Sequence, residues 1–301
     1  MRQGAAKIRE VFRRIETPEG WLAKRWRQVP GYIRLTYLAA VVLGLLTHLY
    51  MFTNKFTNHD DLNQMFYADY GKASGRWLLP SLLRLDGNIS MPWLIGVLSI
   101  LCLAGVPCVV VALLRIRRPL GCVATAALLV TFPGVAATFG FMFSADAYCV
   151  SLLLAALGAY LAVRRGWLGS LLGAAAITLS LGIYQAYFPV AAALMVGALL
   201  FETLDGTASL RALVGKGLRL VLTLAGALLA YLVVVQLTTR DSGLTDYEGI
   251  SDMGRISLGE LPRLVALSYW KYVAFFLRDD WNCHAAVLGK AFLLTALVSL
   301  A

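Results

Sequence analysis

Eight apolar runs divide this chain, each near the ~20 residues that carry an α-helix across the hydrocarbon core of a bilayer. They fall at about 32–52, 93–114, 119–137, 147–163, 167–184, 186–201, 217–237 and 286–301. Inside lipid every backbone N–H and C=O must find a partner within the protein, so only helices or closed barrels can span. Runs of this length specify helices, and the predicted fold is an all-α, multi-pass helical bundle. With 59% hydrophobic and 15% charged residues, the chain is not an ordinary soluble domain. Its net charge of +10 does not point to nucleic acid, because the basic residues are strewn between spans and form no contiguous basic–aromatic face. They read as orientation signals and contacts with anionic membrane lipids.

Lys and Arg in the short loops set the topology. Residues 1–31 form a basic cytoplasmic segment: Ile8, Val11, Phe12 and Ile15 recur at helical spacing, and Trp21 and Trp26 stand among Lys24, Arg25 and Arg27. That pattern suits a helix lying on a membrane surface. From a cytoplasmic N-terminus, the even-numbered spans end at Arg115/Arg117/Arg118, Arg164/Arg165 and Arg211/Lys216/Arg219, while 133–146 and 184–187 hold no Lys or Arg. Residues 32–301 form the membrane domain, with outer loops at 53–92 and 238–285. The apolar stretch 264–277 contains Lys271 and is expected to lie as a helix in the outer interface. No cleavable signal peptide is expected, since the first run is span-length. The last run is still apolar at Ala301, as if the chain were the front part of a longer protein. Five carboxylates fall inside on this topology and twelve outside, a skew that chemistry or acceptor binding on the outer face would explain.

The richest ionisable cluster lies in the first outer loop: Asn58-His59-Asp60-Asp61, then Lys72, then Gly75-Arg76-Trp77. Leu62, Met65, Phe66 and Tyr70 predict a short amphipathic helix starting at the paired aspartates, with Asp61 as its N-cap and Gln64 closing a capping box. Asp60 has no such structural role, and partial burial at the end of a span would suit it to act as a base. Lys72 and Arg76, four apart, would share one helical face and hold a phosphate, or else contact headgroups. Trp77 is a membrane-belt residue or a platform for a sugar ring. Asp146, at the start of the fourth span, is an N-cap or a substrate contact. Tyr184, Gln185 and Tyr187, between the fifth and sixth spans, face whatever lies near the outer leaflet. Asp246-Tyr247-Glu248 and Arg255 are candidate acceptor contacts. Cys102, Cys108, Cys122 and Cys149 fall within apolar spans as small fillers, and Cys283 lacks a partner in its loop, so no disulfide framework arises. His48, His59 and His284 form no zinc-type cluster with the cysteines, and no metal is expected.

Taken in order, these segments resemble the bacterial membrane glucosyltransferases of the Gtr type II kind. The resemblance rests on Asn58-His59-Asp60-Asp61, Gly75-Arg76-Trp77, Phe132-Pro133, Ser144-Ala145-Asp146 and Tyr184-Gln185-Ala186-Tyr187, and covers about residues 32–237. It implies a GT-C type architecture in the bacterial inner membrane with its active site outside the cytoplasm. The donor would be a polyprenyl-phosphate-linked sugar, such as undecaprenyl-phosphate glucose, and the acceptor a surface glycan such as the O-antigen of lipopolysaccharide. It also implies an aspartate base in the first outer loop, Asp60 in preference to Asp61, with Lys72 or Arg76 on the donor phosphate and His59, Trp77, Asp146, Tyr184, Gln185 and Tyr187 around the substrates. No cofactor is implied. The absence of a Gly-rich phosphate loop or dinucleotide-binding pattern agrees with a lipid-borne donor.

The rival is a transporter or a flippase for a lipid-linked sugar. Transporters usually carry ionisable groups and repeated broken helices at the membrane midplane. Here the spans are nearly free of charge, no internal repeat is visible, and His48 reads as an isolated interfacial residue. Exchange of substrate across liposomes distinguishes the two.

Overall fold

The computed structural model describes residues 17–56, 58–61, 71–87, 89–206, 208–240, 257 and 259–277. The chain forms two compact units, residues 1–242 and 243–301. The first opens with α1 (Pro18–Gln28), which begins at Thr17, whose hydroxyl accepts the Gly20 N–H at 3.2 Å. Pro18 and Glu19 suit its first turn and Arg25 and Arg27 its last, and it buries no residue. Pro30 ends it and starts α2 (Gly31–Thr53).

A short helix, α3 (Leu79–Leu83), precedes the remaining spans: α4 (Pro92–Leu103) continued by α5 (Gly105–Leu113), α6 (Pro119–Val130) followed by α7 (Pro133–Phe139), α8 (Ala145–Arg164), α9 (Gly166–Ile183), α10 (Phe188–Leu204) and α11 (Leu210–Thr238). Among the described residues six helices are long and apolar enough to cross a membrane, seven if the bent pair α6–α7 counts as one. They coincide with seven of the eight runs read from the sequence; the eighth, 286–301, lies outside the described residues. Among the described residues the protein is an all-helical, multi-pass membrane protein. The break between α6 and α7 bends the third span by 46°. Pro133 supplies no backbone N–H, and Phe132 before it is extended (φ −60°, ψ 136°), as a residue preceding proline prefers.

Helix α8 lies at the centre, packed on α4, α5, α9 and α10, while α2 packs on α4, α5 and α6, and α9 on α11. The α8–α9 contact is close because small residues line it: Ala155, Ala159 and Ala162 are fully buried. A Cβ on Gly173 would stand 2.5 Å from the Gly158 carbonyl oxygen, so these backbones touch as small-residue membrane helices do. Ser151 and Ser180 each donate a hydroxyl hydrogen bond to the other's carbonyl, at 2.9 and 2.8 Å, which leaves neither polar group unmatched in the apolar interior.

The two ends of this unit differ. At one, Arg115 pairs with Asp205 and Lys216 with Glu202. There Arg164 bonds the Ala112 carbonyl, and the Arg117 guanidinium stands 3.9 Å from the Tyr32 ring centroid. At the other gather residues 58–61 and 71–87, the segment 140–144 and the turn 184–187. The second unit contributes α12 (Leu261–Leu277), a helix over the stretch expected to be one. Residues 241–256, with Asp246, Glu248 and Arg255, and Cys283 and His284 lie outside the described residues.

Candidate active site

The helix after the first span starts at Asn58, one turn earlier than the sequence suggests. The Asn58 side chain accepts the Asp60 N–H at 3.0 Å, and Asp61 Oδ2 reaches back to accept the Asn58 N–H at 3.0 Å. This is a capping box in which Asn58 is the cap and Asp61 the third-position acid, so Asp61 is not the N-cap. The competing principle is simple: Asn caps as well as Asp does, and it comes first in the chain. Asn58 also donates from Nδ2 to the Gly140 carbonyl at 2.9 Å, tying this turn to the segment before α8. Residues 62–70, the rest of the expected amphipathic helix, lie outside the described residues.

Asp61 is buried, 8% exposed, and its second oxygen has no hydrogen-bond partner. The Asp60 carboxylate is 30% exposed, and its Oδ1 lies 3.4 Å from Nδ1 of His59, whose own side chain is 88% exposed. Asp60 is near enough for its charge to act on the Tyr148 hydroxyl, as does that of Arg76. The twin acids therefore divide: Asp61 anchors the turn, and Asp60, more exposed, stands beside His59.

Lys72 and Arg76 do not share a helical face. Lys72–Ser74 is a single 3-10 turn between Gly71 and Gly75, both left-handed, at φ 81° and 78°. The Gly71 carbonyl accepts the Ser74 and Arg76 N–H groups, which closes the loop on itself. Glycine is required at position 75, because a Cβ there would lie 2.6 Å from the Tyr231 hydroxyl in a backbone region that side chains disfavour. Gly75→Ala is expected to cost about 1–3 kcal/mol of stability, seen as a lowered unfolding midpoint in detergent, with transfer lost because Arg76 follows directly.

Arg76 is carried by an aromatic cradle. Its Nη1 donates to the Tyr148 hydroxyl at 3.1 Å, and its guanidinium carbon sits 4.8 Å from the Tyr184 ring centroid. Tyr148 and Tyr184 stack at 4.4 Å, and Tyr187 meets Tyr184 edge-on at 5.3 Å. Arg76 Nε is buried with no hydrogen-bond partner. A guanidinium with an unused buried N–H is a donor held ready for an anion.

Neighbouring residues hold this loop in place. Gln185 donates from Nε2 to the Ser74 carbonyl at 2.8 Å and to the Tyr231 hydroxyl at 2.9 Å, so it binds the loop to α11. The Trp77 indole fits against Gly182, where a Cβ would stand 2.5 Å from it; the ring is half-buried packing at the protein's own backbone, and its Nε1 has no partner. Leu79 and Leu83 of α3 enter a small apolar cluster with Phe143, Ala147, Tyr148 and Ile183.

Asp146 occupies the second position of α8, two residues beyond the N-cap Ser144, and accepts the Ala147 N–H at 2.8 Å. The Asp86 carboxyl is its acidic neighbour from the first outer loop. Asp86 was not singled out from the sequence; only its adjacency to the turn residue Gly87 marked it. Tyr148 and Tyr231 were also missed, since a tyrosine in an apolar run looks like any span residue. Among the described residues no three His, Cys, Asp or Glu side chains come together as metal ligands.

An apolar groove of about 450 Å³ runs up to the cradle. Its walls are Val106 and Val110 of α5, Leu129 and Phe132 at the break, Val135 and Ala137 of α7, Leu152 of α8 and Leu194 of α10, and it ends at Tyr148, Tyr184 and Tyr187. Apolar along the spans, the groove ends on the tyrosines that carry Arg76, an arrangement matched to a lipid with an anionic head.

The family model for glucosyl transferase GtrII matches residues 49–300, most of the chain and all of the loop, cradle and groove. The chain belongs to that family. Together with its spans, membership makes this GtrII protein a membrane glucosyltransferase. No curated protein and no solved structure matches it.

Proposed function

We propose that this GtrII-family protein transfers glucose from a polyprenyl-phosphate donor to a surface glycan such as O-antigen. The reaction would run at the extracytoplasmic face of the bacterial inner membrane, as in GT-C enzymes, with the N-terminus in the cytoplasm. The observation that carries this reading is the continuity of the apolar groove with the Arg76 cradle. The isoprenoid tail lies along α5, α7, α8 and α10, which leaves the phosphate at the guanidinium and the glucose beside Asp60. The concentration of basic residues at the opposite end supports the orientation.

The chemistry follows from that placement. The acceptor hydroxyl oxygen attacks the anomeric carbon of glucose and gives up its proton to the Asp60 carboxylate. The bond from the anomeric carbon to the phosphate oxygen breaks, and polyprenyl phosphate leaves with the electron pair. Arg76 stabilises the charge that grows on that oxygen, and Lys72, two residues before Ser74 on the same loop, adds positive potential. His59, exposed beside Asp60, completes the polar rim, while Trp77 packs on Gly182 and fixes the loop that carries Arg76.

Filling the groove tests the reading. Ala137→Trp in the full chain is expected to raise KM for undecaprenyl-phosphate glucose by about tenfold or more with little change in kcat, the pattern of lost ground-state binding. An unchanged KM in the inserted, folded variant would remove the groove from the donor site.

A further inference from the structure

His48 was read as an isolated residue near the outer end of the first span. In the structure it is buried, 3% exposed, and its Nε2 lies 2.8 Å from the Val130 carbonyl oxygen. A carbonyl only accepts, so Nε2 carries the proton and donates. Val130 is the last residue of α6, and in an unbroken helix its carbonyl would accept the N–H four residues on. The bend at Phe132-Pro133 frees that carbonyl, and His48 takes it up from another helix. The same ring packs 4.7 Å from the Phe139 ring of α7, and Phe139 stands edge-on to Phe52 at 5.0 Å. One side chain of α2 thus touches both halves of the broken span, by a hydrogen bond to the first and a ring contact to the second.

The other side of that broken span is the groove wall, through Leu129, Phe132, Val135 and Ala137. The angle between α6 and α7 therefore sets the width of the groove, and His48 is the strut that sets the angle. We infer that His48 is a positioning residue for the lipid donor: it holds the third span bent so that the groove admits a long isoprenoid chain. This rests on the reading of the groove as the donor site. His48 itself lines no part of the groove and is absent from the chemistry at Arg76 and Asp60.

Two substitutions separate its hydrogen bond from its ring. His48→Phe keeps an aromatic against Phe139 and Phe52 but removes the donor. His48→Gln keeps a terminal N–H within reach of the Val130 carbonyl. With the full chain in membranes, His48→Phe is expected to raise KM for undecaprenyl-phosphate glucose about tenfold with kcat within about twofold. KM for citronellyl-phosphate glucose, whose tail is too short to follow the bent wall, should move far less, and His48→Gln should restore the long-chain KM. Should His48→Phe not accumulate, His48→Asn, too short to reach the carbonyl, takes its place with the same expectation. An unchanged long-chain KM overturns the inference, as does equal loss with both donors, or failure of folded His48→Gln to recover. The Ala137→Trp variant separates the two levels: if it raises KM while His48→Phe does not, His48 alone is misassigned. If neither moves KM, the donor reading of the groove fails, and this inference with it.

Discussion

Asp60→Asn is expected to abolish glucosyl transfer, with a loss of at least about 10²–10⁴-fold, while expression and membrane insertion stay normal. The amide is nearly isosteric, so the backbone N–H accepted by Asn58 is untouched and the turn keeps its shape. What disappears is the carboxylate's capacity to take the proton of the acceptor hydroxyl. Transfer from a polyprenyl-phosphate glucose to acceptor in membranes measures it. Asp61→Asn should behave differently: its remaining side-chain oxygen can still accept the Asn58 N–H, and the expected loss is smaller. A larger effect at Asp61 than at Asp60 would reverse their roles, giving the base to the oxygen of Asp61 that has no partner.

Arg76→Ala is expected to lower kcat by about 10²–10³-fold, the range seen when one fixed donor to a developing oxyanion is removed. Arg76→Lys is the more informative substitution. Lysine restores the charge but is a compact ammonium, unable to lie over the Tyr184 ring while donating sideways to Tyr148. If Arg76 acted through net charge alone, Lys would recover most of the rate. The cradle geometry predicts that it recovers little, in single-turnover transfer with saturating donor. Recovery to near the parent rate would reduce Arg76 to a headgroup contact.

The spans were legible because bilayer thickness imposes one length on every crossing helix, and seven runs fall where the helices are. The bend in the third span was half legible: Phe132-Pro133 was visible as a motif, but what satisfies the freed Val130 carbonyl comes from His48, 82 positions away in sequence. The loop gave up its residue types but not their division of labour. Sequence spacing put Lys72 and Arg76 on one helical face, and the left-handed Gly71 and Gly75 turned that stretch into a closed loop instead. Gln185 and Trp77 carried the look of substrate contacts, being polar and aromatic near the outer leaflet. Gln185 is committed to holding the loop against Tyr231, and Trp77 to packing on Gly182, because the loop must be fastened before it can hold a phosphate. Asp86 beside Asp146 and Tyr148 beneath Arg76 depend on long-range approach, which no local pattern encodes.

The most direct measurement supplies the purified full chain, reconstituted with acceptor-bearing membrane material, with glucose label on undecaprenyl phosphate or on a sugar nucleotide in parallel. The account predicts label in the surface glycan from the lipid donor alone, abolished by Asp60→Asn. Label arriving from the sugar nucleotide with no lipid-phosphate donor present would contradict it.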